Sequence, residues 1–149
     1  MARYPISSEK GITLAALVIT VLLMMILTVT ISMNSYQSAN LKKAKNLEND
    51  IALLEQRINV YYATNQILPI YKEYTGELGG IVNIRDGADN DTYYIIDLRL
   101  LQNITLTYGE GFQDLVVGSS SSDVYIVNDR THIVYYLKGI EIDQEIRYR

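Results

Sequence analysis

From Ile12 to Met33 the chain has no charge, no glycine and no proline, and this run begins directly after Glu9-Lys10-Gly11. Its 22 residues would reach about 33 Å as a helix, close to the thickness of a bilayer's hydrocarbon core. A continuous apolar run of that length predicts a membrane-spanning helix rather than the core helix of a soluble domain. An ordinary secretory signal has a shorter apolar core followed by a small-residue cleavage site, which Met33-Asn34-Ser35-Tyr36-Gln37 does not offer. Thr13, Thr20, Thr28, Thr30 and Ser32 interrupt the oil with hydroxyls. Such groups can return a hydrogen bond to the backbone one turn earlier, so they leave the expectation intact.

The periodicity then changes but remains helical. Ala44, Leu47, Ile51, Leu54, Ile58 and Tyr61 follow at intervals of three and four, which places them on one stripe. Lys43, Lys45, Glu48, Glu55 and Arg57 lie off the stripe, with Lys42 and Asp50 beside it. The helix is expected to run on to about Asn65, which tolerates a left-handed cap, with Pro69 preventing its resumption. From Ile12 to Thr64 that makes one helix of about 80 Å. The stripe suits either a helix laid on a globular core or the seam of a short coiled coil.

Beyond Pro69 the pattern is that of strands. Asp91–Asp97, Asp123–Asn128, His132–Leu137 and Ile140–Asp143 are β-branched and aromatic runs bounded by turn residues. Asn128–Thr131 and Lys138-Gly139 read as tight connections, so the expected C-terminal half is a meander covering the helix stripe. Asp97–Leu101 reads as a short helical turn capped by Asp97. The fold class is therefore α+β, a long N-terminal helix packed on a C-terminal antiparallel sheet. Its divisions are residues 1–11, 12–33 (membrane half of the helix), 34–64 (amphipathic half) and 65–149 (β-rich head).

The short polar leader MARYPISSEKG, ending in Gly11 ahead of Ile12-Thr13-Leu14, resembles the class III signal of type IV pilins and the pseudopilins of type II secretion and competence systems. The resemblance implies cleavage after Gly11 by a membrane prepilin peptidase and N-methylation of the new first residue, Ile12. Glycine suits such a site because a missing Cβ lets the backbone fit closely into a protease cleft. It further implies a structural filament subunit whose partners are other pilin-like subunits, an inner-membrane assembly platform and the lipid bilayer. The implied location is the cell membrane, single-pass with the head extracytoplasmic, and an extracellular filament after assembly. Family members usually carry glutamate at the fifth position after the cut. Here that position is Ala16, which removes a device for pairing with a neighbour's terminal amine and suggests a minor or initiating subunit. A different class of reading is a permanently bitopic scaffold of the division type, with a short coiled coil and a small extracytoplasmic β domain.

No catalytic constellation emerges, and neither enzyme activity nor a cofactor is expected. The chain has no cysteine, so thiol chemistry, Cys-based metal sites and disulfides are excluded. His132 is the single histidine and reads as a structural or surface residue; Ser119–Ser122 reads as a flexible loop. Asp86, Asp89 and Asp91 form a weak calcium candidate whose spacing does not fit an EF-hand. Removing Arg3 and Lys10 from 13 basic residues and Glu9 from 17 acidic ones leaves 11 against 16, net −5 before the termini. No nucleic-acid partner is expected of so acidic a chain. Lys42, Lys43 and Lys45 outnumber Arg3 and Lys10, so counting charge alone would place the head inside the cell. The leader resemblance places it outside.

Overall fold

The computed structural model describes residues 8–149, with side chains from Leu14 onward. Helix α1 (Ser8–Asn65) is followed by strand β1 (Ile70–Glu73), a 3-10 turn (Gly79–Asn83) and β2 (Tyr93–Ile96). A second 3-10 turn (Leu98–Leu100), the short helix α2 (Phe112–Val116), β3 (Tyr125–Asn128), β4 (Val134–Tyr136), β5 (Ile140–Ile142) and β6 (Glu145–Arg147) complete the chain. Two compact units result, Met1–Ala39 and Asn40–Arg149.

In the first unit, every side chain from Leu14 to Ala39 is exposed. The helix there is long and apolar enough to cross a membrane, and none of its apolar window is buried in the chain.

The second unit is α+β. Strands β1 to β4 form one antiparallel sheet in sequential order. Because side chains alternate across a strand, the sheet has two apolar faces. Ile96, Tyr125, Val127, Val134 and Tyr136 pack with Leu47, Ile51, Leu54 and Ile58 of α1. Tyr93, Ile95, Ile126 and Tyr135 turn the other way, onto Ile81, Phe112 and Leu115 of the turn and short helix. The stripe read from the 3-4 spacing is thus sunk in the chain's own head, with Leu54 and Ile58 wholly inaccessible. A coiled coil would need that same surface, and the sheet occupies it.

The helix ends at Asn65 as expected, but the left-handed residue is Gln66, with φ 60°. Gln66 donates its backbone N–H to the Tyr62 carbonyl at 2.8 Å, while Asn65 stays helical and its side-chain amide donates to the Tyr61 carbonyl at 2.9 Å. The turn after β2 is capped by Asp97, which accepts from the Arg99 N–H at 3.0 Å.

The expected meander breaks after β4. Strand β5 leaves the sheet and pairs with β6 as a separate hairpin. The outer edge of β4 is already satisfied: the Val134 N–H donates to Glu55 Oε1 on α1 at 3.1 Å, and the Tyr136 N–H donates to the Tyr148 carbonyl at 2.8 Å. A strand beside β4 would find no free donors there. Gly139 makes the departure at φ +70°, and a Cβ there would lie 2.4 Å from the Ile146 side chain. The turn needs glycine on both counts.

Candidate functional site

Two surfaces offer a function, the apolar segment of α1 and the head closed around its continuation. Among the described residues of the apolar segment the hydroxyls do not stand free. Thr20, Thr28, Thr30 and Ser32 each donate to the carbonyl four residues earlier, at 2.7–2.9 Å. Each polar group is thereby satisfied inside the helix, which is the condition for burying it in lipid. No acidic residue occurs between Leu14 and Ala39, and Ala16 is exposed.

The head is tied to α1 by polar contacts of Asp50, Glu55 and Asn40 as well as by its apolar stripe. Asp50 is buried and its Oδ2 accepts from the Thr107 N–H at 2.8 Å, the Tyr108 N–H at 3.0 Å and the Tyr125 hydroxyl at 2.9 Å. Glu55 takes the Val134 N–H and also pairs with Arg149 at 3.2 Å. Asn40 donates to Asp143 at 2.8 Å, reaching the tip of the β5–β6 hairpin.

Around Asp50 the tyrosines form a cluster. Tyr136 lies 5.5 Å from Tyr108 and 5.1 Å from Tyr125 by ring centroids. The Tyr136 hydroxyl donates to Asp123 at 2.6 Å, and Asp123 also accepts from the Gly109 N–H at 2.8 Å. Burial pushes the Tyr125 hydroxyl far above its ordinary range, and the Asp50 carboxylate beside it pushes it further. Tyr136 is raised for the same reasons, burial first and then Asp123. These hydroxyls serve as neutral donors that fix loop 104–109 against helix and sheet.

An open groove of about 520 Å³ lies between residues 98 and 113, walled by Leu98, Leu101, Ile104, Leu106 and Phe112. The guanidinium of Arg99 at its rim is committed to Asp97 at 2.7 Å and stacks 5.8 Å from the Phe112 ring.

The residues singled out from the sequence are placed as follows. Gly11 and Ile12 lie outside the residues whose side chains are described. Asp86, Asp89 and Asp91 do not converge: Asp91 accepts from Arg130, Asn128 and the Ala88 N–H, while Asp89 pairs with Arg85. Arg130 first, then Asn128, hold the Asp91 carboxyl down at about 2. Among the described residues no group of three or more His, Asp or Glu side chains could hold a metal ion. His132 is in the turn before β4, left-handed at φ 58°, with its ring edge-on to Tyr62 at 4.6 Å. Asp50 was legible only as a residue beside the stripe. Its spacing, three after Leu47 and four before Leu54, puts it on the stripe itself and was the signal for a buried, satisfied carboxylate.

Comparison with protein-family models, with curated proteins and with solved structures returns no match.

Proposed function

We propose that this chain is a prepilin-like structural subunit of a type IV pilus or of a type II secretion or competence pseudopilus. The observation that carries the reading is the junction Lys10-Gly11-Ile12, where a short polar leader meets an apolar run of bilayer length without any intervening residue. Two further features support it. From Leu14 to Ala39 the apolar half of α1 is exposed, and its amphipathic half is the spine of an antiparallel head. In this role the peptidase removes the leader at the cytoplasmic face, the anchored subunit leaves the bilayer as it joins the filament, and the helices form the filament interior. With Ala16 in place of the usual glutamate, incorporation rests on helix packing and head contacts, as suits a minor or initiating subunit.

The test is processing. Co-expressed with a prepilin peptidase, the chain should lose its eleven leader residues and begin at N-methyl-Ile12, as read by intact-mass spectrometry. Gly11→Val should block the cut, because a branched Cβ fills the space glycine leaves. A retained leader, with a known prepilin cleaved in parallel, would instead favour the permanently bitopic scaffold.

A further inference from the structure

Between Lys10 and Glu48 the only charged residues are Lys42, Lys43 and Lys45. All three are exposed, and none takes part in an ion pair among the described residues. The rest of the head is the opposite: from Asn46 to Arg149 eight basic side chains face sixteen acidic ones, net −8. A block of +3 outside any ion pair among the described residues, on an acidic domain, calls for an anionic partner.

We infer that Lys42, Lys43 and Lys45 form a collar that binds the anionic phosphate headgroups of the leaflet from which the helix emerges. The inference rests on the membrane-spanning reading of Ile12–Met33 but not on the pilin-like one.

Tethering is the first argument. Nine residues along from Met33, Lys42 is about 14 Å on at helical rise and at most about 30 Å on if extended, so a bilayer surface is always within reach. Direction is the second. Side chains on a helix tilt toward its N-terminus, and the N-terminal end of α1 is the one that carries the apolar run. Lysines placed there can lay their stems back and keep their ammonium groups among headgroups. A fourth cation adjoins the three: Lys43 lines a recess of about 200 Å³ together with Lys138, Tyr108, Tyr136 and one carboxylate, Glu141.

The competing partner is a second copy of this chain, whose hairpin carries Glu141, Asp143 and Glu145. The tether favours lipid, which is present around every anchored subunit at high local concentration.

The chain's lack of cysteine makes the test direct. Full-length protein bearing Ser38→Cys, labelled there with a donor fluorophore, is placed one copy per nanodisc. The discs hold phosphatidylglycerol and phosphatidylcholine, with a trace of either lipid carrying an acceptor on its headgroup. Energy transfer to phosphatidylglycerol should exceed that to phosphatidylcholine by roughly a few-fold per lysine, and high salt should abolish the difference. Lys42→Gln/Lys43→Gln/Lys45→Gln should make the two lipids equal, whereas Arg57→Gln/Lys72→Gln/Arg147→Gln should not. Equal transfer in the unsubstituted chain, or a preference that survives loss of the collar, overturns the proposal. So does salt-sensitive association of copies in detergent that the collar triple removes, which would assign these lysines to a second subunit. Failure of the chain to enter the discs would overturn the membrane span, and the collar with it.

Discussion

Placing a carboxylate at position 50 removes an apolar contact from the stripe and returns three hydrogen bonds to one oxygen. Those bonds are what hold loop 104–109 down, since Thr107, Tyr108 and Tyr125 all donate to Asp50. Asp50→Ala should therefore destabilise the head by about 3 kcal/mol, because buried donors left without an acceptor cost more than the bond itself contributed. Thermal unfolding of the Ala and Asn variants checks this. Asn keeps an acceptor of nearly the same shape and should lose less. Equal melting of Asp50→Ala and the natural chain would mean the loop is held by its apolar residues alone. At Ala16 the absence of a carboxylate matters instead, since a lone charge inside the bilayer is expensive unless paired.

At the scale of elements, the stripe on α1 decides the fold. Leu54 is wholly inaccessible between helix and sheet, so Leu54→Asp buries an unpaired charge and should cost about 4 kcal/mol or more. Loss of the circular-dichroism melt at ambient temperature is the expected outcome, and an unchanged melt would show that the stripe is not part of the core. The helix and this stripe were legible because apolar spacing is a local property of the sequence. So were β2, β3 and β4, whose β-branched and aromatic runs the sheet shortens only at their ends. What was not legible has two causes. β1, at Ile70–Glu73, is a four-residue edge strand with an irregular register against β2, too short to show alternation. The β5–β6 hairpin leaves the sheet because a glutamate 79 residues earlier takes the Val134 N–H, a competition between distant groups that no local pattern records. At the junction, the Gly11 motif was legible as a sequence, while the role proposed for it depends on a peptidase that lies outside the chain.

The whole head behaves as one unit with respect to alkali. Tyr74, Tyr108, Tyr125, Tyr135 and Tyr136, drawn from strands and loops on both faces of the sheet, all have hydroxyls raised above 10.0, burial being the first cause in each. A folded-state value above the unfolded one means that the unfolded chain releases protons first. The stabilisation is complete below pH 10 and is lost as pH rises above it. Alkaline unfolding should thus coincide with tyrosinate formation in a single transition, followed by absorbance and circular dichroism together. Ionisation of the full tyrosine complement with no loss of structure would show that the cluster is not buried in solution. Acid acts through a different site. The Asp91 contribution, present above 3.8, fades as pH falls through about 2.

The contact between Asn40 and Asp143 joins residues 103 positions apart, and the stripe that begins at Ala44 is covered mostly by strands from the last quarter of the chain. During synthesis this order becomes a delay. At about 5–20 residues per second, the ribosome needs about 5–20 s after Ile58 to deliver Arg149. For that interval the membrane segment can already be seated while Leu47, Ile51, Leu54 and Ile58 remain uncovered beside it. A nascent chain in that state presents two consecutive greasy surfaces, of which only the first belongs in lipid. Folding of this head therefore depends on keeping the second one in water until the strands that cover it arrive.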